Sequence, residues 1–180
     1  GLRRPTLLTR HVGLRHGAFL DRPDWLAAHP IEDVQEPGLA RHHRDIAVDH
    51  EGNVYVTGYN VETSTGFDII TIKYGPGGAE LWVRRYDSGS GEDVPAAIAC
   101  DASGIYVTGR SNSSFTTIKY DFNGVQQWVR NYNGGFGSDA PAALALDAAG
   151  NLYVTGQSTG AGTNHDYATI KYDAAGTELW

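Results

Sequence analysis

The sequence predicts an all-β protein made of four-stranded antiparallel units, and three observations carry the prediction. Its 180 residues include 23 glycines and ten tyrosines but no methionine, a composition suited to many short strands and turns. YVTG begins at 55, 106 and 153, TIKY at 71, 117 and 169, and tryptophan recurs at 82, 128 and 180. A unit of 46 to 52 residues therefore repeats about three times over residues 45–180. Within each unit, β-branched and aromatic runs are separated by clusters of Gly, Asp, Asn and Ser, which is how strands joined by turns read. Four strands in a repeat of this length point to a propeller blade, so the expected fold is a partial β-propeller of about three blades.

The first unit gives the elements in order. DIAVD (45–49) is the first strand, NVYVTGYN (53–60) the second, DIITIKY (68–74) the third and AELWVRRY (79–86) the fourth. The blades are expected at residues 45–96, 97–142 and 143–180, the last ending inside its fourth strand. DHEG, DASG and DAAG connect first strands to second ones, and DFNG, a second DAAG at Asp173 and GPGG connect third strands to fourth ones. Asp in first position and Gly in fourth fit a type I turn, the carboxylate accepting from nearby backbone N–H groups and glycine taking the left-handed conformation. A calcium loop needs about six oxygen ligands, whereas each of these loops offers one carboxylate, so the motif reads as a turn and no metal site is expected.

With the turns at one end of every unit, the loops between second and third strands and between units fall at the other. YNVETSTGFD, RSNSSF and QSTGAGTNHD differ in length and content there, and recognition generally resides on variable loops carried by a rigid scaffold. Four acids mark this end as the candidate ligand-binding site: Asp93 and Asp139 before the innermost strands, Asp68 and Asp166 before or at third strands. In a closed ring Asp93 and Asp139 approach the channel mouth, where carboxylates attract cations or polar ligands. The plainer reading is that they cap loop N–H groups, a routine use of aspartate.

Trp82, Trp128 and Trp180 recur at one strand position, as do Tyr74, Tyr120 and Tyr172. That regularity indicates packing between units more readily than carbohydrate or quinone binding. Lys73, Lys119 and Lys171 alternate away from their apolar neighbours and are expected in solvent or paired with an acid of the next unit. Cys100 stands where the other copies have Val48 and Leu146, so it reads as a small buried hydrophobe. His165 beside Asp166 is the one residue pair that breaks the pattern like a polarised base, but it has no nucleophile near it in sequence. No catalytic residue is assigned, and no cofactor is expected.

The formal charge of −7 is unevenly spread. Residues 1–44 hold seven arginines against five acids, and residues 45–180 hold seven bases against sixteen acids, which leaves the repeats at −9. Nucleic acid is thereby disfavoured as a partner, since phosphate binding needs a positive surface. One cysteine excludes an intrachain disulfide. No apolar run approaches the roughly 18 residues of a membrane-spanning helix.

Residues 1–44 do not follow the repeat, and they contain five of the seven histidines and no lysine. They read as a linker or as an out-of-frame remnant of an eroded unit. DRPDWLAAHP fits one short helix between Pro23 and Pro30. RHHR at 41–44 reads as a solvated boundary, because adjacent histidines in a strand point to opposite faces and chelate poorly. Closed propellers hold roughly four to eight blades. Three blades are therefore expected to belong to a longer protein or to close by self-association.

The ordered motifs D-x-x-G-N-x-Y-V-T-G, T-I-K-Y and L-W-V-x-R-Y resemble the bacterial β-propeller repeat family called SBBP, over residues 45–180. The second copy departs from the pattern by lacking the Asn before IYVTG and by a shorter middle loop. The resemblance implies a bladed propeller from an extracytoplasmic or cell-surface bacterial protein, with no shared catalytic motif. The function expected is a non-catalytic binding or scaffold module for a protein or polysaccharide ligand. The alternative is part of a propeller enzyme, such as a quinoprotein-like dehydrogenase, a lyase or a hydrolase.

Overall fold

The structure is a computed structural model that describes residues 41–62, 66–89, 91–135, 137–160 and 166–180. The described residues all belong to one compact unit, Gln35–Trp180. The DRPDWLAAHP segment and His165 lie outside the described residues.

Among the described residues, eleven strands form three antiparallel sheets. The first holds β1 (Arg41–Val48), β2 (Val54–Glu62), β3 (Gly66–Tyr74) and β4 (Glu80–Tyr86). The second holds β5 (Asp93–Asp101), β6 (Gly104–Ser111), β7 (Ser114–Tyr120) and β8 (Gln126–Tyr132). The third holds β9 (Ala140–Leu146), β10 (Leu152–Ser158) and β11 (Asp166–Tyr172), with a single bridge from Tyr172 to Glu178 starting a further edge. Every strand pairs with its neighbour in sequence, so each sheet is a simple blade-like meander. RHHR lies within β1, where His42 stacks on Tyr59 with ring centroids 4.8 Å apart. Asp93 opens β5 opposite Ser111, so residues 93–95 pair within the second sheet.

The glycine of YVTG has a steric role that repeats in all three sheets. The first strand of each sheet bulges opposite it: between His43 and Asp45, between Pro95 and Ala97, and in the β9–β10 register at Thr155 and Gly156. The bulge presses backbone onto the glycine. A Cβ on Gly109 would lie 2.5 Å from the Val94 carbonyl oxygen, and on Gly58 and Gly156 it would meet the His42 and Ala140 carbonyls. Any side chain there would displace the first strand.

Strand alternation then feeds two cores from one sheet. On β6, Ile105 and Val107 enter a cluster with Tyr55, Ile69, Ile98, Ile118 and Tyr120, between the first and second sheets. Tyr106 points the other way, into a cluster with Phe115, Trp128, Leu152, Val154, Ile170 and Tyr172, between the second and third. Each fully buried aliphatic side chain contributes about 1.5–3 kcal/mol, so the middle sheet, covered on both faces, is the anchor of the stack. Cys100 borders the first cluster but is only half-buried, short of the full burial the sequence suggested, and that burial raises its thiol pKa.

Polar side chains reinforce the same junctions. Trp82 Nε1 donates to the Phe122 carbonyl at 3.1 Å and Arg84 Nε to the Gly124 carbonyl at 2.6 Å. One sheet later, Trp128 donates to Ala174 at 3.3 Å and Arg130 to Gly176 at 2.6 Å. The lysines correct the sequence expectation of solvent or an acidic partner. Lys73 and Lys119 are buried, and their ammonium groups donate to the Phe122 and Ala174 carbonyls at 3.2 and 3.0 Å. They also sit over the Tyr55 and Tyr106 rings at 5.4 and 5.0 Å. A carbonyl and a π-face together offset the desolvation of a buried ammonium, so no carboxylate is needed.

Candidate functional site

The meander puts the Asp-x-x-Gly turns at one end of the sheets and the remaining loops at the other. At the turn end, Asp49 Oδ1 accepts from the Glu51 and Asn53 amides at 3.0 and 2.9 Å, and Gly52 has φ 81°. Asp147 repeats this with Ala149 and Asn151, both at 2.9 Å, and Gly150 has φ 78°. In both turns the second carboxylate oxygen takes an Asn side chain and a tyrosine hydroxyl: Asn53 and Tyr55, or Asn151 and Tyr153. Burial opposes ionisation of Asp49, but these hydrogen bonds prevail and hold its pKa down at about 2. The same bonds, led by those from Asn151, bring Asp147 to about 2. In the second copy, where Asn is missing, Ser103 substitutes: its hydroxyl bridges Asp101 Oδ1 at 2.8 Å and the Tyr106 hydroxyl at 2.7 Å. These carboxylates are fully occupied in shaping turns.

The loop end is built differently. Asp93 and Asp139 are buried and hold equivalent positions at the starts of the second and third sheets. Asp93 accepts from the Ser88 amide at 2.7 Å and from the Ser111 hydroxyl. Asp139 accepts from the Gly134 amide at 2.6 Å, the Thr159 amide at 3.0 Å and the Ser158 hydroxyl at 2.8 Å. Each carboxylate therefore ties the loop arriving from the preceding sheet to the hairpin of its own sheet. Their oxygens are directed at loop N–H and O–H groups.

The β6–β7 hairpin is the tightest of these loops. Asn112 and Ser113 have φ 49° and 64°, the two left-handed residues of a type I′ turn. The Ser113 carbonyl accepts from the Asp139 amide at 2.8 Å and the Asn112 side chain donates to Ser88 Oγ at 3.1 Å. One hairpin thus joins the loops on both sides of the middle sheet.

Asp68 is buried on β3 and pairs with Arg85 Nη2 at 2.8 Å; the same guanidinium reaches Asp87 at 3.4 Å. Carboxylate oxygens of Asp68, Asp87 and Asp93 lie within 4.8 Å of one another. Burial, followed by the charge of Asp93, raises the pKa of the nearby Tyr86 phenol. Asp166 is exposed at the start of β11 and does not join the group. Arg85 and Asp87 escaped sequence reasoning, though aligning the copies on tryptophan exposes them: their counterparts are Asn131 and Asn133. The second copy keeps the geometry without the charge. Asn133 Oδ1 accepts from the Gly135 amide at 2.6 Å, just as Asp87 Oδ1 accepts from Gly89 at 2.7 Å.

No family model and no curated protein sequence matches the chain.

Chemically, the loop end offers exposed amide, hydroxyl and carboxylate groups on a braced backbone. Three carboxylates against one guanidinium leave the junction of the first two sheets negative. Among the described residues, no helix is long and apolar enough to cross a membrane.

Proposed function

We propose that the chain is a non-catalytic binding or scaffold module, part of a β-propeller in a bacterial extracytoplasmic or cell-surface protein. Its variable, acidic loop end presents polar side chains to a protein or polysaccharide ligand. The observation that carries this reading is the asymmetry between the two ends. The turn end repeats one hydrogen-bonded design, whereas the loop end changes in length and charge from copy to copy while buried Asp93 and Asp139 keep its backbone fixed. A fixed backbone with changing side chains suits recognition. Stacked blade-like meanders and the recurring motifs support the propeller part, and the motif resemblance supports the extracytoplasmic part.

The test is a binding array of bacterial cell-wall polysaccharides and basic peptides, probed with the labelled full chain. Asp87→Lys and Glu92→Lys at the loop end are expected to weaken capture about tenfold. Glu51→Lys and Asn123→Lys at the turn end are expected to leave it within about twofold. Equal losses at both ends, or no capture by any probe, would overturn the reading.

A further inference from the structure

The junction between sheets is built twice inside the chain from one set of parts, and the chain carries most of each half once more on exposed faces. At both internal junctions the leading sheet contributes a β-strand aromatic or aliphatic, a lysine and a tryptophan: Ile69, Lys73 and Trp82 in the first, Phe115, Lys119 and Trp128 in the second. The following sheet contributes two apolar residues of its first strand, Ile98 and Cys100 or Leu144 and Leu146. It also supplies the carbonyls of its third turn, Phe122 and Gly124 or Ala174 and Gly176.

The third sheet repeats the leading set in Tyr167, Lys171 and Trp180, but here Tyr167 is 84% and Trp180 61% exposed. The first sheet repeats the following set in Ile46, Val48 and the Gly75–Gly78 turn. Ile46 is 60% and Val48 59% exposed, and Pro76, the counterpart of Phe122 and Ala174, is exposed as well. Both faces are apolar sheet surfaces of the kind that mark an interface.

We propose that these two faces pair with each other between copies: the Tyr167–Lys171–Trp180 face of one chain docks on the Ile46–Val48 face and Gly75–Gly78 turn of a second. Lys171 Nζ and Trp180 Nε1 then donate to the Pro76 carbonyl, as their counterparts do to Phe122 and Ala174. The occupant is a second copy because the two faces are the two sides of a junction the chain already forms, so the fit is established by its own interior. Such contacts are head-to-tail, each chain using one face as donor and the other as acceptor. The contact does not depend on the ligand-binding reading.

The experiment is light scattering after size exclusion on the full 180-residue chain over a range of concentrations. The expected mass is at least twice 19.4 kDa at the upper end of the range and falls toward 19.4 kDa on dilution. Tyr167→Arg with Trp180→Ala on one face, and Ile46→Asp with Val48→Asp on the other, alter only exposed side chains. Each pair of changes is expected to raise the dissociation constant at least ~100-fold, with unchanged circular dichroism. Tyr167→Arg alone gives the same direction with the least risk to the sheet. Mixing the two double variants restores one intact junction and a two-chain species. A monomer throughout the range, or dissociation by only one of the two double variants, would overturn the head-to-tail contact.

Discussion

Asp147 illustrates how much of the turn chemistry one residue holds. Its carboxylate is hydrogen-bonded by Asn151, Tyr153 and Ala149, and its pKa falls from 3.8 to about 2; Asp49 falls equally far through Asn53, Tyr55 and Glu51. A carboxyl whose pKa is lower in the folded chain stabilises it fully above the unfolded pKa and loses that contribution as pH drops through the folded one. The window here runs from 3.8 down to about 2. The Tm measured by circular dichroism is expected to be level near neutrality and to fall across that window. Asn151→Ala should lower Tm at pH 7, and the gap to the parent should shrink as pH falls toward 2, where Asp147 begins to be protonated in the folded parent as well; a gap unchanged by pH would refute this role. Aspartate and glycine spacing made these turns legible in the sequence, because their chemistry is local. The lysines were not legible: alternation tells which face Lys119 occupies, but the Ala174 carbonyl that receives it lies 55 residues away. The Arg85 pair with Asp68 was hidden for the same reason, being a contact across strands.

At the scale of the strand, the decisive feature is the bulge of each first strand against the YVTG glycine. The motif itself was plain, and it placed the second strand of each sheet. Its physical cause was not, because an extra residue in a first strand leaves no signature in composition or alternation. Gly109→Ala tests that cause. The added Cβ meets backbone of Val94 and Pro95, which cannot rotate away as a side chain tip can. A loss of about 1–3 kcal/mol is expected from urea unfolding, the range for forced overpacking. Gly77→Ala, measured on the dilute monomer because its turn lies on the proposed docking face, is the control, since nothing in the chain lies within 4 Å of the added atom, and surface changes of this kind stay within about 0.5 kcal/mol. Equal effects at the two sites would show that the bulge is not what requires glycine. The register shift also explains why the expected strand of residues 45–49 lengthens to Arg41: beyond the bulge, His43 and His42 resume pairing with Gly58 and Tyr59.

The whole unit behaves as a one-dimensional stack, since each sheet packs on its neighbours in sequence and the cores lie between them. In such a stack, stability is a sum of sheet and junction contributions, and it is not uniform along the chain. Among the described residues, the second sheet has a junction on each face, while the first and third have one each. Amides of Val107 and Ile118, whose side chains are fully buried, should therefore exchange with deuterium most slowly, near the limit set by global unfolding. Those of β1 and β11 should exchange by smaller openings. The same measurement separates the stack from its assembly. In the proposed head-to-tail contact the outer faces of the first and third sheets become covered, so protection in β1 and β11 should rise with chain concentration while that of β6 and β7 stays constant. If β1 exchanged as slowly as β6 at concentrations where the chain is monomeric, the sheets would be one cooperative block, and the outer faces would have nothing to gain from pairing.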